Sequence, residues 1–124
     1  MVDLQLRVDD IALTATWTGE NSDVQAAIRD ACPIHGEATK WGDELYIMTD
    51  VDASPETTQT IVEPGSLAYW PAGPAICLFW GPTPVSSGAA PEAASPVAVI
   101  ATINDISPLA TITENAILRL ETVS

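Results

Sequence analysis

The feature that most constrains this chain is a two-residue alternation of apolar and polar side chains that begins almost at its first residue. Val2, Leu4, Leu6 and Val8 alternate with Asp3, Gln5 and Arg7. Successive side chains of a strand leave on opposite sides, so this is the pattern of a strand with one buried face. Ile11, Leu13, Ala15 and Trp17 repeat it after Asp9-Asp10, a turn-forming pair, so residues 2–8 and 11–17 are predicted to form a hairpin. Further strands are predicted at about 44–49, 58–62, 67–70, 75–80, 97–103 and 116–123. Gly42, Pro64-Gly65, the segment from Pro71 to Pro74, and Gly81-Pro82 punctuate them.

One helix interrupts the strands. In SDVQAAIRDA, residues 22–31, Ser22 is placed to cap the helix and Asp23 to favour the positive end of its dipole. Val24, Ala27, Ile28 and Ala31 fall on one face, and Pro33 stops the helix. Ser107-Pro108 is placed to open one extra helical turn. Many short strands, Gly/Pro turns and one helix define an all-β chain, either a closed barrel or a sandwich. Residues 85–96, VSSGAAPEAASP, read as a loop of small residues.

A chain of 124 residues is expected to form a single domain, residues 1–124, and to bury enough surface to fold without disulfides or metal. Its 47% apolar content argues against disorder despite a net charge of −13. The acids are scattered from Asp3 to Glu121, and Lys40 is the single lysine. Diffuse acidity with so little lysine resembles the proteins of salt-in halophiles; an ordinary acidic domain is the alternative. Either way the field repels phosphates, which argues against nucleic acid and anionic membranes as partners. No apolar run is long enough to span a bilayer, and MVDLQLRVDD lacks a signal-peptide pattern, which points to a cytoplasmic protein. In that compartment Cys32 and Cys77 are expected to be buried thiols rather than a disulfide.

Chemistry-bearing motifs are sparse. Cys32 and His35 have a zinc-like spacing but lack a second ligand pair, and no metal is expected. DVDASPE, residues 50–56, lacks the glycine and the terminal glutamate of a calcium loop and reads as a solvated turn. No phosphate-binding glycine loop or serine elbow occurs, and His35 is the sole histidine. No cofactor or catalytic group is therefore expected. What stands out instead is GSLAYWPAGPAICLFWGPTP, residues 65–84, rich in aromatics and prolines and free of charge. In AICLFW, Ile76, Leu78 and Trp80 share one face and Cys77 and Phe79 the other. In GDELYIMT, Glu44 and Tyr46 lie opposite Leu45 and Ile47. A small barrel fills one of those faces with core, and the other meets solvent, a loop or a ligand. Rings there either wall a groove or plug the core.

WGDELYIMTDV, residues 41–51, and GSLAYWPAGPAICLFWGPTP together resemble the small cyclophilin-like domain family of prokaryotes. The resemblance implies a cyclophilin-like closed barrel of about eight strands with one main helix, and no established activity. The cyclophilin stretch that carries the catalytic arginine before a phenylalanine and Gln-Gly-Gly has no counterpart. Arg7, Arg29 and Arg119 lie outside both aromatic blocks. The expectation is a binding domain, monomer or homodimer, with an aromatic cleft for a peptide or small molecule. Trp41, Glu44, Tyr46, Tyr69, Trp70 and Phe79 are its candidate residues, with Thr83 and Pro84 at the rim and the 85–96 loop as a lid. A divergent prolyl isomerase and a structural subunit are the alternatives.

Overall fold

Leu4–Val8 (β1) and Ile11–Trp17 (β2) form the hairpin that the alternation predicts, in a computed structural model that describes residues 2–123. Asp9 takes a left-handed φ of 52° at the turn, where its Oδ1 accepts the Ile117 N–H. The helix α1 spans Ser22–Ala31, as its sequence predicts. Its start differs from expectation. Asn21, not Ser22, is the residue before the first turn, and its side chain caps nothing. The Asn21 Oδ1 accepts the N–H groups of Glu56 and Thr57, while the Glu56 carboxylate accepts the Ser22 N–H at 3.2 Å. An acid from the DVDASPE turn therefore does the capping that Ser22 was expected to do. Val24 and Ile28 enter the core and Ala27 packs against it, but Ala31 is exposed. Gln25 is buried because its Nε2 donates to the carbonyls of Thr18, Glu20 and Ile100.

The remaining strands are Ile34–Lys40 (β3), Glu44–Met48 (β4), Gln59–Ile61 (β5), Ser66–Trp70 (β6), Ala75–Phe79 (β7), Glu92–Ile103 (β8) and Ala116–Thr122 (β9). A 3-10 turn covers Ser107–Thr111. Pairing runs β2-β1-β9-β3-β4-β7-β6-β8, and β8 pairs back to β2, all antiparallel. Eight strands of the described residues therefore close a ring. β5 stands outside the ring, bonded to the first part of β8.

Two elements depart from the sequence expectation. β3 was not foreseen, because IHGEATK offers small residues where a strand normally shows branched ones. The side chain of Ile47 explains them: a Cβ on Gly36 would lie 3.3 Å from its Cδ1, so the neighbouring strand fills the space that β3 leaves. β8 begins at Glu92, five positions before the strand predicted at 97–103, so most of the supposed lid loop is either strand or a short series of bends. Pro96 fits because the pairing of β5 with β8 shifts register between Gln59–Val97 and Ile61–Glu92, where a missing N–H is tolerated.

Candidate functional site

β4, β7 and β6 lie side by side, and their two faces have different fates. Inward go Leu45, Ile47, Leu67, Tyr69, Ile76 and Leu78, all part of the main core with the inward side chains of β1, β8 and β9. Outward go Glu44, Tyr46, Ala68, Trp70, Cys77 and Phe79. A second, smaller core forms there, where Val62, Ala93 and Val97 from the β5 region and early β8 cover Ala68, Cys77 and Phe79. The cover is incomplete. It leaves a pocket of about 140 Å³ lined by Trp41, Glu44, Tyr46 and Trp70, with Cys77, Val97 and the small Ala93 and Ala94 completing the wall.

Register and turns place these groups. Tyr46 pairs with Cys77 and Glu44 with Phe79, which sets Glu44 and Cys77 diagonally on one face. Trp41 sits in the β3–β4 turn, its N–H donating to the Glu44 carbonyl at 2.9 Å. The turn is locked onto the proline segment. The Asp43 N–H donates to the Pro82 carbonyl and the Trp80 N–H to the Asp43 carbonyl, both at 2.9 Å. Gly42 has a φ of +63°, and a Cβ there would stand 2.8 Å from both Pro84 Cδ and Thr83 Cα. No other residue type fits that contact without moving backbone. Thr83 is buried and donates through Oγ1 to the Glu92 carbonyl, tying the same segment to the start of β8. Opposite, the Trp70 indole N–H donates to Ser95 Oγ, which fixes the ring against β8.

Glu44 is only 5% exposed. Burial raises its carboxyl to about 7, and a hydrogen bond with the Cys77 thiol pulls back part of that rise. Burial pushes the thiol itself well up, reinforced by the charge of Glu44 and by the same hydrogen bond, so Cys77 remains a protonated donor. Near neutral pH the pocket thus holds a carboxyl poised between its two states. No arginine is among the lining residues. Arg29 stacks over Trp17 at 5.3 Å, Arg119 is ion-paired with Glu121, and Arg7 borders a separate surface hollow with Arg119.

The sequence-based candidates divide. Trp41, Glu44, Tyr46 and Trp70 come together around the pocket. Tyr69 does not: it is 1% exposed in the main core, its hydroxyl donating to the Val51 carbonyl at 2.6 Å and accepting the Ala53 N–H. The alternation Leu67-Tyr69 against Ala68-Trp70 already sends it inward. Phe79 is fully buried beneath the outer cluster, Thr83 ties the turn, and Pro84 is exposed beside Gly42. Sequence reasoning missed Cys77, Ala93, Ala94 and Val97. The outward parity of Cys77 was a usable signal, whereas Ala93 and Ala94 carried none while their segment read as loop. A wider, open hollow between α1 and β4 holds Asp30, His35, Asp50 and Asp52. Among the described residues no three His, Cys, Asp or Glu side chains gather in a metal-binding group, and no helix is long and apolar enough to cross a membrane.

A family model described as cyclophilin-like matches residues 2–120. Among solved structures, the chain is similar to the hypothetical protein AF2241 from Archaeoglobus fulgidus, at 34% identity and a TM-score of 0.82, over 98% of this chain and 95% of that one. It is also similar in fold to McbB, solved in complex with tryptophan, at 10% identity and a TM-score of 0.68. That match covers 95% of this chain and 44% of McbB. No curated protein matches.

Proposed function

This chain belongs to the cyclophilin-like family, and from that premise we propose that it is a binding domain whose outer-face pocket receives a small group of a peptide or free small molecule. The observation that carries the reading is the gathering of Trp41, Tyr46 and Trp70 around the buried Glu44 carboxyl in a single concavity. Rings give large contact area at low entropic cost, and one convergent polar group sets orientation. The volume of about 140 Å³ lies below the roughly 300–1,000 Å³ of drug-sized clefts, so the pocket suits a headgroup or one side chain. The turn and strand hydrogen bonds that hold Trp41 and Trp70 lower the ordering cost of binding.

Prolyl isomerisation is a poor fit. Catalysis of that reaction requires stabilisation of a twisted amide against a barrier of about 18–20 kcal/mol, and no arginine lines the pocket. The four tryptophans provide the test, since Trp41 and Trp70 line the pocket while Trp17 and Trp80 pack against the main core. Indole and the peptide Ala-Ala-Pro-Phe are the probes, followed by the indole N–H resonances. Shifts confined to Trp41 and Trp70 with either probe, and cis–trans exchange of the peptide at its uncatalysed rate, are expected. Absence of any shift at millimolar probe would refute the site. Saturable acceleration of exchange would make the domain an isomerase.

A further inference from the structure

We propose that the group received by this pocket is an N-alkylated ammonium, its methyl-bearing surface against Trp41, Tyr46 and Trp70 and its charge beside Glu44; the inference rests on the pocket being a ligand site. Three aromatic side chains and one carboxylate are the two components that a desolvated organic cation requires. The ring faces attract it through their quadrupoles, and the carboxylate supplies the counter-charge.

The composition of the wall excludes the competing ligand classes. An anion would meet a buried carboxyl with no Lys, Arg or His in the lining to offset it. Lys40, next to Trp41 in the chain, lines a separate hollow instead, its Nζ donating to the Gly42 carbonyl at 2.6 Å. Calcium and magnesium take about six or more oxygens and zinc at least three Cys, His or carboxylate ligands. The lining supplies one carboxylate, a phenol and a thiol, and no such three-residue group occurs among the described residues. A primary ammonium carries three donors and a strong hydration shell, and would leave donors unmatched against alanine, valine and ring carbon. An alkylated ammonium spreads its charge over methyl groups, sheds water at little cost and presents apolar surface to apolar walls. The chain's net charge of −13 draws cations toward the surface in general. Selection among them falls to the rings.

Binding of this kind couples to the proton on Glu44. The titratable groups around it are Cys77 from β7 and Tyr46 from β4 in the wall itself. Asp43 lies in the adjoining turn, Lys40 ends β3, and Glu92 starts β8 with its carboxylate bonded to Ser87. The part of β8 that lines the pocket contributes only Ala93, Ala94 and Val97. A cation can use Glu44 only when it is ionised, and burial has raised its carboxyl to about 7. Affinity should therefore climb as pH rises through neutrality, with proton release on binding below it.

The test uses choline and its uncharged isostere 3,3-dimethylbutan-1-ol, titrated in phosphate rather than an amine buffer at low potassium chloride, with the Trp41 and Trp70 indole signals as readout. Choline is expected to bind about tenfold more tightly than the alcohol at pH 8.5, and at least about tenfold more tightly at pH 8.5 than at pH 5.5. Glu44→Gln should erase the pH dependence, and Trp70→Phe should weaken choline while keeping it. Equal affinity for alcohol and choline would overturn the ammonium assignment and leave the pocket a ligand site. A flat pH profile in the unaltered protein would overturn the role of Glu44 without reliance on any variant. Silence of both indoles toward both probes would refute the assignment and the pocket together.

Discussion

The inner and outer faces of β4, β6 and β7 are built from the same fifteen residues of strand, yet they obey different rules. Inside, leucines, isoleucines and Tyr69 meet other apolar side chains, and the one polar atom, the Tyr69 hydroxyl, is satisfied by the Val51 carbonyl. Outside, the cover from early β8 is thin and made of small residues, and a glutamate with a thiol partner is buried in it. A fold optimised only for stability would place a hydrocarbon at position 44. Desolvating a carboxyl is tolerable at a site whose use requires it, which is why we propose the outer face as the functional one.

The sharpest way to break this contrast is to truncate each face. Leu78→Ala, on the inner face at 0% exposure, should lose about 2–5 kcal/mol in chemical denaturation. A loss below 1 kcal/mol would mean that the inner face is not the main core.

Glu44→Gln should move the other way, and only at high pH. The folded carboxyl is raised from 4.5 to about 7, so the unfolded chain ionises first. The contribution of this group is full below about 4.5 and declines as pH rises to about 7. The Gln variant should match the native protein at pH 4 and exceed it by on the order of 1–3 kcal/mol at pH 8. Destabilisation by Gln at pH 8 would show that the carboxylate is a structural anchor.

Tyr69→Phe sharpens the boundary between the faces. It should remove about 1–2 kcal/mol through the two lost hydrogen bonds, to the Val51 carbonyl and from the Ala53 N–H, with no change in the Trp41 and Trp70 signals. A disturbed pocket would join the faces that the strand parity separates.

Salt tests the surface against the interior. The Debye length falls from about 10 Å at 0.1 M to about 3 Å at 1 M, so molar potassium chloride should raise the melting temperature by screening the net charge of −13. The stability difference between native and Glu44→Gln proteins at pH 8 should change by less than about 0.5 kcal/mol, since the buried group is poorly screened. An unchanged melting temperature would remove the case for adaptation to high salt.

Legibility in the sequence followed the same division. Alternation revealed β1, β2, β4 and β7 and the opposed faces of Glu44-Tyr46 and Leu45-Ile47, because period two is a local signal. It failed at β3, where Gly36 is small to admit Ile47 from the next strand, a fact invisible without the pairing. It failed at early β8 because Glu92 to Pro96 has turn-like composition and becomes strand only by pairing with β5. The site was half legible for that reason: Trp41, Glu44, Tyr46 and Trp70 follow from parity and ring chemistry, whereas the Ala93–Ala94 wall depends on a long-range partner. Placing Tyr69 in the cleft counted aromatic rings where strand parity was decisive.

The central claim is that the outer face buries a working carboxyl, and the most direct measurement is a pH titration of the Glu44 side-chain carboxyl by ¹³C NMR in the ligand-free protein. A midpoint near 7 is expected, with the Trp41 and Trp70 indole signals titrating alongside and those of Trp17 and Trp80 unmoved. A midpoint at the ordinary value of 4.5 would mean that water reaches Glu44 freely, and would contradict the account.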